Sequence, residues 1–279
     1  MAYKSVLTVL SAAESASAPL AQTAALADAF GGHAEALCLG VDRTQTGYYY
    51  AGANALVLQE SLARASEEAK ALEALAITTL EAAAVPFSTD TGVAQMADLG
   101  RHVARRARFS DLVVLGQPYG EGKRAEAEPI VEAALFEGRA PVLVVPDAQA
   151  PLRQPGTVVV AWNESLEAMT AVRHALPFLR QADLVRLAVI DPPQHSSERS
   201  DPGGLLAQML ARHGVTCEID VLSKTLPRVS DVLNRHAADT AADLIVMGAY
   251  GHSRFREAIL GGATRNMLEQ ARVPVLMAH

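Results

Sequence analysis

Short runs of β-branched and aliphatic residues recur along the chain, each closed by a turn residue. The stretches between them repeat apolar positions at helical spacing. In the first half this pattern predicts strands over 5–10, 34–41, 86–91, 111–116 and 141–145. Helices are predicted over 18–30, 56–84, 96–108 and 129–136. In the second half it predicts strands over 157–162, 184–190, 216–223, 243–248 and 273–278, with helices over 165–176, 203–213, 228–240 and 262–271. Strands that alternate with helices require right-handed crossovers and a parallel sheet. Each half therefore reads as a doubly wound α/β layer.

The two halves share one plan. Ser110-Asp111-Leu112-Val113-Val114-Leu115-Gly116 is echoed by Ala242-Asp243-Leu244-Ile245-Val246-Met247-Gly248. Each is a buried-strand pattern entered by Asp and left by Gly. Each is followed by a Pro-led apolar run, Pro141–Val145 and Pro274–Met277, and each half opens on a strand, Val6–Leu10 and Val158–Trp162. Ala148–Pro155 reads as a linker, which gives domains over 1–147 and 156–279. The first copy is longer, and its excess falls around Thr44–Ala84. Tyr48, Tyr49 and Tyr50 cluster there, half of all the tyrosines, and are expected to form a loop packed on the interface between the copies, the alternative being a ligand pocket of the first copy.

Composition narrows the function classes. Half of the 279 residues are hydrophobic, which excludes a disordered chain, yet only 5% are aromatic. A net charge of -7 argues against a nucleic-acid coat, which needs a basic surface, and scarce aromatics argue against base-stacking platforms. Cys38 and Cys217 are too few for a disulfide framework or a zinc site and are expected to be buried thiols. No apolar stretch approaches the length of a membrane helix, and the Lys4–Ala18 segment reads as a strand rather than a signal peptide, since Glu14 stands in the cleavage region. A cytoplasmic protein with no membrane or nucleic-acid partner is expected.

The chemistry concentrates after the Asp243-led strand. Gly248 and Gly251 are followed nine residues on by Gly261-Gly262-Ala263-Thr264, which opens a helix. Ligands of open α/β sheets bind beyond the carboxyl ends of the strands. Glycines allow close backbone approach, and the free N–H groups of Gly262, Ala263 and Thr264 would form an anion site. His252, Arg254 and Arg256 could add positive charge. Glycine at strand ends and helix starts also serves packing alone.

Gly-x2-Gly-x9-Gly followed by a small residue, between an apolar strand and a final Pro-Val-Leu strand, resembles the universal stress protein motif. The resemblance extends over the chain as a tandem pair and is specific in the second copy. It implies an α/β fold of two doubly wound five-stranded parallel sheets of the adenine-nucleotide alpha-hydrolase kind. It also implies pseudo-two-fold symmetry, with the copies paired through their last strands as an internal pseudo-dimer, and it leaves room for a further homodimer. In some members an adenine nucleotide such as ATP, with magnesium, sits on the glycine loop. The matching residues here are Met247, Gly248, Gly251, His252, Arg254, Gly261, Gly262, Ala263 and Thr264. Ala161 and Asn163 match the end of the first strand, where an acid contacts the nucleotide. Val189 matches the residue whose backbone meets adenine. Asn163 replaces the usual Asp and Gly262 the usual Ser or Thr, and each lost neutral hydrogen bond is worth roughly 1 kcal/mol.

The first copy lacks this equipment. Gly116 is followed by Gln117-Pro118-Tyr119-Gly120, Glu128-Pro129 stands where a glycine should open the helix, and its first strand ends in Ser11-Ala12-Ala13. Gly120–Lys123 is a failed P-loop, with Gln117 and Arg124 at the wrong positions. Arg101, Arg105 and Arg108, with Arg106 beside them, are expected to be a solvated helix face. His213 and His236 are expected to satisfy helix-terminal carbonyls. No metal site and no catalytic residue are expected. The sequence thus predicts a stress-response regulator that binds an adenine nucleotide in its second domain, with at most slow hydrolysis, and an unidentified protein partner. The alternative is a nucleotide-free interaction module on the same scaffold.

Overall fold

The computed structural model describes residues 2–43, 54–147, 149–192, 201–249 and 262–279. Two compact units are present, Tyr3–Ala140 and Pro141–His279.

In the first unit, β1 (Ser5–Leu10), β2 (His33–Asp42), β3 (Phe87–Gln95) and β4 (Leu112–Gly116) lie in the order β3-β2-β1-β4, all parallel. Its helices are α1 (Ser17–Phe30), α2 (Asn54–Ala82), α3 (Leu99–Ala107) and α4 (Ala127–Glu132), with a π-helical turn over Ala133–Glu137. The sequence predicts a single helix over 129–136 there. α1 stops at Gly31, whose left-handed φ of 55° lets its N–H turn back to Asp28. Gly40 marks where α2 meets the sheet, because a Cβ there would stand 1.7 Å from the Ala65 carbonyl oxygen.

The second unit begins with β5 (Val142–Val145), which follows the first copy in sequence but hydrogen-bonds antiparallel to β10 (Val275–Ala278), with Leu143 facing Leu276. The remaining strands are β6 (Thr157–Ala161), β7 (Leu184–Ile190), β8 (Cys217–Leu222) and β9 (Leu244–Gly248). The order is β5-β10-β9-β6-β7-β8, parallel from β10 to β8. The helices are α5 (Leu166–Leu179), α6 (Gly204–Arg212), α7 (Val229–Asp239) and α8 (Ala263–Gln270).

The inner strands are continuous apolar runs because layers cover both their faces. β4, β5 and β10 contain no exposed residue, whereas the edge strands β3 and β8 mix exposed and half-buried positions. The two Asp residues at the strand starts are clamps. Asp111 Oδ2 accepts from the N–H of Lys4 and Ser5 at 2.7 and 2.9 Å, and Asp243 Oδ2 from Gly156 and Thr157 at 2.7 and 3.0 Å. The first clamp ties β1 to β4, and the second ties β6 to β9.

Ion pairs between strands and a helix also recur, with the charges exchanged. In the first unit Arg106 of α3 binds Glu35 of β2 and Asp90 of β3. In the second, Arg186 of β7 binds Glu218 and Asp220 of β8, and His236 of α7 lies 3.0 Å from Asp220. His236 therefore lies against a strand carboxylate, although its Nε2 makes no hydrogen bond among the described residues. His213, at the end of α6, is the C-cap residue. Among the described residues no helix is long and apolar enough to cross a membrane.

Candidate functional site

In the second unit the chain runs from β6 outward to β7 and β8, then returns to β9 and β10 on the other side of β6. The strand order therefore reverses between β6 and β9, the place beyond whose carboxyl ends open α/β sheets bind ligands. Ala161 and Met247 face each other in register across that edge, and Gly248 stands beside Ala278. Ala161, Asn163, Val189, Met247, Gly248, Gly262, Ala263 and Thr264 lie at or next to the carboxyl ends of β6, β7 and β9 and the start of α8. Gly251, His252, Arg254 and Gly261 lie outside the described residues, as do Arg256 and Tyr48, Tyr49 and Tyr50.

The helices at this edge differ at their amino ends. The α5 N-terminus is closed by Ser165, whose Oγ accepts from the Ala168 N–H at 3.1 Å. The α8 N-terminus starts from Gly262, which supplies no side-chain cap. Its first N–H groups carry the positive end of the helix dipole without a capping oxygen from Gly262. Of the two helix ends, α8 is the one suited to an outside anion. Thr264 is buried, so its side chain faces inward.

Two positions have work within the fold. A Cβ on Gly248 would come within 2.6 Å of the Ala168 backbone nitrogen, so this glycine lets the end of β9 pack on the first turn of α5. Asn163 Oδ1 accepts from the Ser165 N–H at 3.2 Å, in a turn where Glu164 adopts a φ of 60°. The amide nitrogen of this exposed side chain remains a donor.

Trp162, between Ala161 and Asn163, is the group that pattern reading passed over. Its own backbone N–H donates to the Ala188 carbonyl, which continues the β6–β7 ladder by one step. The indole is buried, 9% exposed, and Nε1 has no hydrogen-bond partner among the described residues. A buried N–H left without an acceptor costs about 1–3 kcal/mol. Gly203, with a φ of 89°, comes down onto this ring, and a Cβ there would stand 3.7 Å from Trp162 Cδ1 and 3.6 Å from Val189 Cγ2. The signal in the sequence was the only tryptophan of the chain standing at a strand end beside a candidate ligand residue.

The corresponding edge of the first unit, at β1 and β4, carries the protein's own charges. Glu126, 1% exposed, occupies the N-cap of α4 and binds Arg43 at 2.5 Å. Arg43 also binds Glu68 of α2 at 3.2 Å. Arg124 turns onto Glu14 through two hydrogen bonds of 2.7 and 3.1 Å and reaches the Ser11 carbonyl. A backbone hydrogen bond, and then the Arg124 side chain, hold the Glu14 carboxyl below its ordinary range. The cavity left there, bordered by Ser11, Gly116 and Lys123, measures about 50 Å³. That is the room of one or two waters, against roughly 300–1,000 Å³ for a small-molecule pocket.

The universal stress protein family model matches residues 156–279. Universal stress protein Slr1230 of Synechocystis sp. is 33% identical over 73 residues, so the match covers 26% of this chain and 24% of that relative's length. A universal stress protein structure from Archaeoglobus fulgidus superposes with a TM-score of 0.74 at 14% identity, over 98% of this chain and 96% of that one. A functionally unknown protein from Pseudomonas aeruginosa superposes with a TM-score of 0.60 at 14% identity, over 99% and 92% of the two chains. At such identities these structures speak to the fold alone. Residues 156–279 thus match the universal stress protein family, and the chain as a whole has the fold of the universal stress protein structure it superposes on.

Proposed function

We propose that the second domain, residues 156–279, binds an adenine nucleotide of the ATP type and that the chain acts through this binding as a stress-response regulator, with little or no catalysis. The phosphates lie on the uncapped N-terminus of α8, with Gly261 and Gly262 allowing their approach and His252 and Arg254 adding charge. Ala161, Asn163, Val189 and Met247 border the base and ribose. Magnesium accompanies the phosphates. The first domain, residues 1–147, carries no nucleotide, because Glu126 stands at the helix end a phosphate would need.

The observation that carries this reading is the orphaned indole N–H of Trp162 at the same strand ends as the uncapped helix. A donor without an acceptor among the described residues and an open helix dipole, both at the carboxyl edge of this sheet, suit a ligand rich in acceptor atoms. Since Trp162 is the only tryptophan, its fluorescence tests the reading directly. Titration with ATP is expected to change the emission saturably, and Trp162→Phe to weaken ATP binding about five-fold, the equivalent of one hydrogen bond near 1 kcal/mol. No saturable change, together with no retention of labelled ATP, overturns the reading.

One observation favours the nucleotide-free interaction module instead. Asn163 already uses its amide oxygen on Ser165, so it contributes only donors where the family places an acid. Purified protein carrying no nucleotide, and binding none when supplied, would select this second reading.

A further inference from the structure

A second hollow lies between the edge strand β3 and helix α3 of the first unit. It measures about 420 Å³, within the size range of small-molecule pockets. Leu37 contributes to its lining, and Gly92 keeps it open. A Cβ on Gly92 would stand 3.2 Å from Leu39 Cδ2 and 3.9 Å from His102 Nδ1. Phe109 stands at its margin with 79% of its surface exposed, the largest fraction among the large exposed hydrophobics of this unit.

The charges sort into those already satisfied and those left open. Asp90 and Arg106 line the hollow as a bonded pair, and Glu35 holds Arg106 from the other side. Nearby, Arg101 is taken up by Asp98, and Arg108 by the carbonyls of Ala104 and Glu137. Arg105, His102 and Thr91 make no side-chain hydrogen bond or ion pair in the described structure. The open polar side chains at the hollow are therefore a guanidinium and an imidazole, since Thr91 alternates with Asp90 and Gly92 and shares the face on which Thr89 meets Glu73 of α2. The one carboxylate in the lining, Asp90, is already neutralised. A ligand that complements this set must bring negative charge and acceptor oxygens. It must also bring a flat apolar surface, because Phe109 would bury up to about 150–250 Å² against one. A guanidinium recognises carboxylate or phosphate through paired donors.

We propose that this hollow is a binding site for a small aromatic anion, a ring bearing a carboxylate or phosphate. Arg105 and His102 take the acidic group, and the ring lies on Phe109 over Leu37 and Gly92. The site is independent of the proposed nucleotide site, since none of its residues belongs to the second unit.

The test is titration of the full chain with 2-naphthoate, followed by backbone amide chemical shifts. The expected result is saturable shifts grouped at Thr91, Gly92, His102, Arg105 and Phe109. Arg105→Glu and Phe109→Ser, both at exposed positions that leave the core intact, should each weaken binding five-fold or more. The cationic analogue 2-naphthylmethylamine should not compete. Shifts scattered elsewhere, equal affinity in both variants and the parent, or equal binding of the cation would each overturn the proposal.

Discussion

Cys38 sits inside β2 with no exposed surface, and burial pushes its thiol up to about 12. Cys217 is half-buried at the start of edge strand β8, and its thiol is raised as well, again by burial. Thiolate is the reactive form, so a thiol reagent at pH 8 should label Cys217 first and Cys38 only on unfolding. Equal rates in the native protein would contradict the burial assigned to Cys38. Burial of this thiol was legible from its apolar run. Other side-chain roles were not. The bond from Ser165 to Asn163 depends on the positive φ of Glu164, and the contact of His236 with Asp220 on a register between α7 and β8. Neither leaves a periodic trace in the sequence. The unpartnered state of Trp162 Nε1 is likewise a property of packing, although the residue's place at a strand end could be read.

Among the elements, the inner strands and most helices were legible because each is a long run of one periodicity. Agreement weakens at the edge of the sheet. β3 continues to Gln95, beyond the 91 expected, because its half-exposed Thr, Gly and Gln residues carry little apolar alternation. The Asp clamps were read as turn residues, and the structure gives each two backbone hydrogen bonds to the opening strand of its unit. Losing one charged acceptor leaves two strand N–H groups unsatisfied. Asp243→Ala should therefore lower stability to urea by about 2–3 kcal/mol, while Asp243→Asn, which keeps an acceptor, should lose less. An alanine variant within 0.5 kcal/mol of the parent, about the scatter of neutral surface changes, would show that these bonds do not hold the strand starts together.

At the scale of the whole molecule, a duplicated plan has been spent in two ways. The longer first copy puts its extra length into α2, 29 residues where α6 has nine, and α2 supplies Glu68 to the charge network around Arg43. At the carboxyl edge of this copy Glu126 pairs with Arg43, and Arg124 with Glu14. Pattern reading found the absence of glycines in this copy. It could not find the acids that pair there, because Glu14, Glu68 and Glu126 converge only in the folded unit. The second copy keeps an uncapped helix and an orphaned donor at its carboxyl edge. On the proposal made above, one copy binds nucleotide and the other does not. Equilibrium dialysis of labelled ATP with magnesium against the full chain tests this most directly. One nucleotide per chain is predicted, with binding strongly weakened by Gly261→Val and unchanged by Arg124→Ala. Two nucleotides per chain, none at all, or equal affinity in the parent and Gly261→Val would contradict it.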